Sequence, residues 1–257
     1  MIAISLQSGS NGNCIFVEAD GIKLLFDAGI TGVQAEERLA AHGYNIRKID
    51  AVIISHDHGD HIRHAGVYQR KYGLPLYATP ATLAAASARC NLGKLNDVRH
   101  FRSSDKLRFG GLLVHAISTP HDGADGSAFV IESSMKRLGV LTDLGHVFKD
   151  LVRIVESLDA VFLESNYDPA MLAAGPYPAH LKQRIKGPHG HLSNKEAAEL
   201  LCRAAKSKRL QWACLAHLSE QNNHPSVALR THCEITDGNV PLYVAGRYSA
   251  TEILTVA

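Results

Sequence analysis

The run His56-Asp57-His58-Gly59-Asp60-His61 puts three imidazoles and two carboxylates into six residues. It directly follows Asp50-Ala51-Val52-Ile53-Ile54-Ser55, a short apolar stretch that reads as a buried strand. Buried polar groups cost roughly 2–7 kcal/mol each unless they are paired or bind metal. A loop turning back over the strand end brings four of these six side chains into one small volume. A divalent metal is the cheapest way to neutralise that crowding.

The spacing His-x-His-x-Asp-His after a strand resembles the signature of the metallo-β-lactamase fold superfamily. That resemblance implies a four-layer αββα sandwich of the α/β (α+β) class, with one or two metals at its edge. It also implies further ligands from the ends of other strands, and candidates occur in the right order. These are His121 in Ser118-Thr119-Pro120-His121-Asp122, Asp143 in Leu141-Thr142-Asp143-Leu144-Gly145, and His217 in Cys214-Leu215-Ala216-His217-Leu218-Ser219. Carried over residue by residue, the pattern gives His56, His58 and His121 to one metal. It gives Asp60, His61 and His217 to the second, with Asp143 as the bridge. Asp57 faces away in this pattern and is structural.

All seven ligands are nitrogen or oxygen donors. Zn²⁺ suits an imidazole-rich set and carboxylates admit Mn²⁺ or Fe²⁺, so ligand type does not choose among them. Two metals about 3.5–4 Å apart share a hydroxide that is nucleophilic near neutral pH and neutralise charge developing on the attacked centre. Asp60 is placed to orient that hydroxide as well as to bind metal.

Composition sets the frame for this site. A chain of 257 residues, 46% hydrophobic and 20% charged, buries a sizeable core and has the make-up of an ordinary soluble globular protein. A formal net charge of +2 neither demands nor excludes an anionic partner, so a nucleic-acid surface would be a local patch. Cys14, Cys90, Cys202, Cys214 and Cys233 are scattered and odd in number, which favours reduced thiols in a cytoplasmic protein over a disulfide framework. No secretory-type segment opens the chain, and no apolar run approaches membrane-spanning length.

The elements that would carry the ligands are legible in outline. Ile2–Leu6, Cys14–Glu18 and Ile22–Phe26 read as three hairpin-like strands around Ser8-Gly9-Ser10-Asn11-Gly12-Asn13 and the Asp20-Gly21 turn. The third ends at Asp27-Ala28-Gly29, where Asp27 either supports the metal site or caps a turn. Gln34–Ala41 has helical spacing, with Glu36, Glu37 and Arg38 on its solvated side and Gly43 as C-cap. Ile62–Lys71 reads as one helix ending at Gly73, Leu76–Ala78 as a strand, and Thr79-Pro80 as a helix start. Val98 to Glu132 reads as a second antiparallel set with a turn at Gly110-Gly111, His100 and His115 being sheet-surface or core-edge residues. Leu138–Leu141 and Asp159–Leu163 are further strands, and Val147–Ser157 is helical in pattern. Two halves of strands followed by helices fit one domain over 1–257, without the inserted domain of larger nucleases.

The choice of substrate rests on the text between Asp143 and His217. Glu164-Ser165-Asn166-Tyr167-Asp168, Gly175-Pro176-Tyr177-Pro178, Gly190-His191-Leu192-Ser193-Asn194 and Leu215-Ala216-His217-Leu218-Ser219-Glu220-Gln221-Asn222-Asn223 follow in order. This series resembles the YycJ/WalJ group of the superfamily over almost the whole chain. The resemblance implies 5′-to-3′ exonuclease activity on double-stranded DNA, linked to mismatch repair, with repair proteins as possible partners.

The residues themselves suit a phosphodiester. A helix over 177–187 would carry Lys182 and Lys186 on one face with Arg184 nearby, either to grip phosphates or as a solvated surface. In related nucleases of the superfamily, an extra His in a Gly-His-x-Ser setting lies by the scissile phosphate. His191 accordingly neutralises a phosphate oxygen, protonates the leaving 3′ oxygen, or instead caps the helix beginning near Asn194. His189 competes with it for that place. His146 either contacts substrate or is a surface imidazole. Two readings stand as alternatives. One is a small-molecule phosphodiesterase or thioester/lactone hydrolase, and the other a catalytically silent DNA-binding repair scaffold.

Overall fold

The computed structural model describes residues 1–257. Its buried apolar side chains fall into three layers, and three such layers require four layers of secondary structure around them. The first sheet starts with the antiparallel strands β1 (Ile2–Gln7), β2 (Cys14–Ala19) and β3 (Ile22–Phe26). Strands β4 (Ala51–Ile53), β5 (Leu76–Ala78) and β6 (Val98–His100) extend it in parallel. The second sheet has antiparallel β7 (Lys106–Phe109), β8 (Leu112–Ser118), β9 (Ser127–Ser133) and β10 (Lys136–Leu141), then parallel β11 (Ala160–Glu164), β12 (Trp212–Ala216) and β13 (Leu242–Val244). The chain ends with β14 (Leu254–Thr255) antiparallel to β1, completing seven strands in each sheet.

Period-two alternation tells each strand which layers to fill. Along β2, Ile15, Val17 and Ala19 enter the layer between the sheets, while Cys14 and Phe16 face helices. Along β12, Trp212, Cys214 and Ala216 enter the central layer, while Ala213 and Leu215 face the opposite helices. Helices α1 (Gly32–Ala41), α3 (Ala65–Tyr72) and α4 (Pro80–Arg89) cover the first sheet. Helices α5 (Lys149–Glu156), α8 (Asn194–Ala205) and α9 (Pro225–Thr236) cover the second. Three shorter helices, α2 (Gly59–Ile62), α6 (Pro169–Ala174) and α7 (Ala179–Lys186), complete the set. No helix is long and apolar enough to cross a membrane.

Several elements differ from the sequence reading. The single helix expected over Ile62–Lys71 is broken into α2 and α3. Ala28 donates its N–H to the His61 carbonyl (2.7 Å) and accepts from the His64 N–H (3.0 Å), so backbone at the break serves the neighbouring loop. Strand β6 was expected in the second antiparallel set, but it pairs in parallel with β5 in the first sheet. Arg38 is half-buried rather than solvated, because its guanidinium donates to the Leu6 carbonyl (3.0 Å) and the Tyr248 carbonyl (2.8 Å). Thr79, in contrast, caps α4 as expected, accepting from the Thr82 N–H at 3.1 Å.

The metal loop is clamped by backbone. Asn13 N–H donates to the Asp60 carbonyl (2.7 Å) and Gly29 N–H to the Asn13 carbonyl (3.0 Å). A Cβ on Gly29 would lie 1.7 Å from the Asp60 carbonyl oxygen, which no real packing permits. Gly29→Ala must therefore displace the loop carrying Asp60 and His61. We expect it to cost about 3 kcal/mol or more and to lower metal content, as read by thermal denaturation and metal analysis. A variant that melts and binds metal like the parent would contradict this role.

A second prediction concerns His232 on α9. It is fully buried, its Nδ1 donates to the Ala228 carbonyl (2.8 Å) and its Nε2 has no partner. Burial pushes its pKa down to about 4. The unfolded chain, with an ordinary His, takes up the proton first, so stability falls as pH drops from about 6.5 toward 4. By pH 5 this amounts to roughly 2 kcal/mol, and His232→Gln should flatten that part of a denaturant-stability profile against pH.

Candidate metal centre

Seven side chains meet at one edge of the gap between the sheets, each delivered by the segment that follows a strand. His56, His58, Asp60 and His61 come after β4, His121 after β8, Asp143 after β10 and His217 after β12. Ligand atoms of His56, His58 and His121 lie within 4.8 Å of one another, and so do those of Asp60, His61 and His217. These are the two sets that the sequence pattern assigned to separate metals. Asp143 reaches both: its Oδ2 is 3.2 Å from His61 Nε2, and its Oδ1 is 3.6 Å from His121 Nε2 and 3.5 Å from His217 Nδ1.

The donor set fits divalent metal. His56 Nε2 and Asp143 Oδ2 are buried without any hydrogen-bond partner, which is costly unless something binds them. Electrostatics points the same way. Burial and the neighbouring imidazoles of His61, His121 and His58 push the His56 pKa well below its ordinary value. Burial also pulls on His61, but Asp143, Asp27 and Asp60 outweigh it and hold that imidazole well above its ordinary value. His217 is raised to about 10, burial being overcome by Asp143 and by contacts to Asp60 and Glu164. Without metal, the cluster thus keeps protons where cations belong.

Supporting contacts fix the ligand rings. Asp27 turns out to hold the site: its Oδ2 accepts from His61 Nδ1 at 2.7 Å, leaving Nε2 for metal. Ser55 ties Asp27 to the loop through its N–H (2.8 Å) and hydroxyl (3.0 Å). His121 Nδ1 donates to the Gly190 carbonyl at 2.8 Å. Asp57 is structural, accepting from Ala124 N–H (2.6 Å) and from Arg89. The sequence reading missed Asn13, whose Nδ2 lies 3.0 Å from His61 Nε2 and 3.4 Å from Asp60 Oδ2. It sits in the turn-rich loop after β1, where Asn ordinarily signals only a turn.

A cleft over the cluster is lined by His58, Asp60, Asp143, His191 and His217, with Tyr177, Leu181, Arg184 and Ile185 of the α7 region forming one wall. His191 Nδ1 donates to Glu164 Oε1 at 2.6 Å, while Ser193 caps α8 by accepting from Glu196 N–H at 3.2 Å. His189 is bonded to the Pro120 carbonyl (2.5 Å) and does not line the cleft. Glu164 was quoted in the sequence but given no role. It is fully buried, also accepts from the Leu144 N–H (3.0 Å), and lies below the usual carboxylate range because His191 and His217 outweigh its burial.

Of the basic residues singled out, the structure brings only Arg184 to the cleft, its Nε 2.6 Å from Asp122 Oδ2. Lys182 donates to the Ala173 carbonyl (2.7 Å) and Lys186 is exposed, so neither lines it. His146 Nδ1 donates to the Pro188 carbonyl (2.8 Å), and the residue lines a separate cavity with Glu196, Glu199 and Arg203.

Purified protein should carry about two divalent ions per chain and lose roughly 5–10 °C of melting temperature on chelation. Metal analysis should return near one ion for His58→Ala and less than one for Asp143→Ala. An unchanged melting temperature after full chelation would speak against a metal centre at these residues.

The chain matches the model of a beta-lactamase superfamily domain over residues 23–212. It is 36% identical over 228 residues to the exodeoxyribonuclease WalJ of Streptococcus pneumoniae, covering 88% of this chain and 84% of that protein. It is 33% identical over 223 residues to the exodeoxyribonuclease YycJ of Bacillus anthracis, covering 87% and 84%. In fold it resembles the metallo-beta-lactamase fold protein YhfI from Bacillus subtilis (TM-score 0.74, 17% identity, 98% of this chain and 100% of that one). It likewise resembles Zn²⁺-bound PqqB from Methylobacterium extorquens (TM-score 0.73, 18% identity, 98% and 100%). With its buried His/Asp cluster and these relatives, the protein is a metal-dependent hydrolase. The chain belongs to the metallo-β-lactamase fold superfamily, in the company of the WalJ and YycJ exodeoxyribonucleases.

Proposed function

We propose that this protein is a 5′-to-3′ exonuclease of double-stranded DNA, acting at the seven-ligand site in a single cytoplasmic domain over 1–257 and serving DNA repair. The observation that carries this reading is a His/Asp cluster that would hold two metals in a polar cleft, with His191 and Glu164 paired beside Asp143. The 36% identity to an exodeoxyribonuclease over 88% of the chain supports DNA as the substrate.

His56, His58 and His121 would hold one ion, Asp60, His61 and His217 the other, and Asp143 both; Zn²⁺ and Mn²⁺ suit this set best, with Fe²⁺ also compatible. Two such ions supply Lewis acidity toward a phosphoryl oxygen and acidify water. The remaining work falls to side chains. Asp60 orients the attacking water. With Nδ1 committed to Glu164, His191 presents Nε2 to the substrate and delivers a proton there to the leaving 3′ oxygen. Arg184, held by Asp122, faces a backbone phosphate at the cleft wall.

End-labelled linear duplex with added Mn²⁺ or Zn²⁺ tests this reading. Stepwise loss from 5′ ends is expected, with closed circles resistant. Asp60→Asn should lower the rate by at least about 10³-fold, and His191→Ala should lower kcat about 10²–10⁴-fold with KM little changed. No cleavage of DNA, together with turnover of a generic phosphodiester or thioester, would move the assignment to small substrates.

A further inference from the structure

Beyond the metal cleft lies a second cavity that shares Ser219 with it. Arg247, His224 and Asn223 supply its polar side, and Pro225, Val244 and Ala245 its apolar side. Its position follows from the sheet. Strands β10, β11, β12 and β13 run parallel, and ligands in such sheets bind beyond the carboxyl ends of the strands. The first three ends deliver Asp143, Glu164 and His217 to the metal centre. The fourth, β13, leads through Ala245-Gly246 to Arg247.

Arg247 has no ion-pair partner. Its Nη1 donates to Asn11 Oδ1 (3.1 Å) and its Nη2 to the Leu218 carbonyl, both neutral oxygens. No carboxylate oxygen lies within 4.0 Å of it, whereas Arg184 at the metal cleft is tied to Asp122 at 2.6 Å. The one carboxylate lining the cavity, Glu220, is bonded to the Tyr248 hydroxyl at 2.9 Å. Gly9, at φ +143°, closes over the guanidinium, and a Cβ there would come within 3.1–3.3 Å of its atoms. A cation held by neutral acceptors in a partly apolar cavity that adjoins the metal cleft is suited to receive an anion.

We propose that this cavity binds the terminal nucleotide of the DNA end, Arg247 taking its 5′ phosphate while Pro225, Val244 and Ala245 pack against its sugar and base. This rests on the exonuclease reading above. It makes the cavity a measuring device: with the terminal phosphate seated there, the next phosphodiester runs toward the adjoining metal cleft.

The test compares 5′-phosphorylated with 5′-hydroxyl duplexes on the metal-loaded protein, and their binding by fluorescence anisotropy in chelator. The phosphorylated end should have a KM about tenfold lower or more and bind correspondingly tighter. Arg247→Gln should abolish both differences, and Arg247→Lys should keep part of them. Parental metal content and melting temperature certify that a variant is folded and loaded. If the parent protein cuts both ends equally and binds them equally, the subsite is overturned whatever the variants do. An undiminished preference in Arg247→Gln would overturn it as well. Absence of any cleavage, with a phosphate-dependent difference in binding that Arg247→Gln removes, would instead sink the exonuclease reading and leave the anion subsite standing.

Discussion

The structure depends on one electrostatic constraint: carboxylates and imidazoles are buried together in numbers that balance only when cations sit among them. Asp143 is 3% exposed and lies within 3.6 Å of His61, His121 and His217, with His191 at 3.5 Å. Removing such a group from water without a partner costs several kcal/mol. The surrounding protein meets that cost in two ways. Hydrogen bonds to Asp27 and the Gly190 carbonyl and contact with Ser55 hold the outer faces of the rings, and the inner faces are left for metal. The bare atoms on the inner side include His56 Nε2 and Asp143 Oδ2, which make no hydrogen bond.

Delivering these groups also strains the backbone. Asp27, Asp143 and His217 all have left-handed φ, at 67°, 55° and 55°, although none is glycine. Such residues cost of order 1–3 kcal/mol each. All three stand just beyond a strand of the two-sheet sandwich, where the chain must reverse while throwing its side chain back into the gap. Asp and Asn tolerate this region better than most residues, but His does not share that ease to the same degree. At His217 the conformation is secured from both sides, by Ser8 Oγ accepting from its N–H (2.8 Å) and Asn166 Nδ2 donating to its carbonyl (2.8 Å). The strain and the ligand are therefore parts of one device.

How legible all this is in the sequence follows from how local each signal is. The ligands of the first motif sit within six residues, and each later ligand follows an apolar strand, so residue type and position together expose them. Strand faces are legible for the same reason, period-two alternation being local. Glu164 is different: it closes an apolar strand, and only the fold shows that His191, 27 residues on, donates to it. Asn13 hides among turn formers. Lys182 and Lys186 fail for a geometric reason, because α7 turns its Leu181 and Arg184–Ile185 face to the cleft. The spacing of Lys182 and Lys186 placed them on a common face, and it is a face the cleft does not use. The broken helix after the metal loop was hidden because its cause, pairing of Ala28 with His61 and His64, is a contact across more than thirty residues.

The sparse supply of free cations near the cleft bears on how a polyanion would be held. Net charge is only +2 and Arg184 spends its charge on Asp122, so no broad basic field surrounds the site. Proteins that grip DNA through many lysines and arginines gain affinity by releasing counterions from an extended stretch of backbone. Here the positive charge would be concentrated instead at two points, the ions that the His/Asp cluster would hold and the guanidinium of Arg247. Such an arrangement favours an end over an interior stretch of duplex, because an end presents a few phosphates to a small volume.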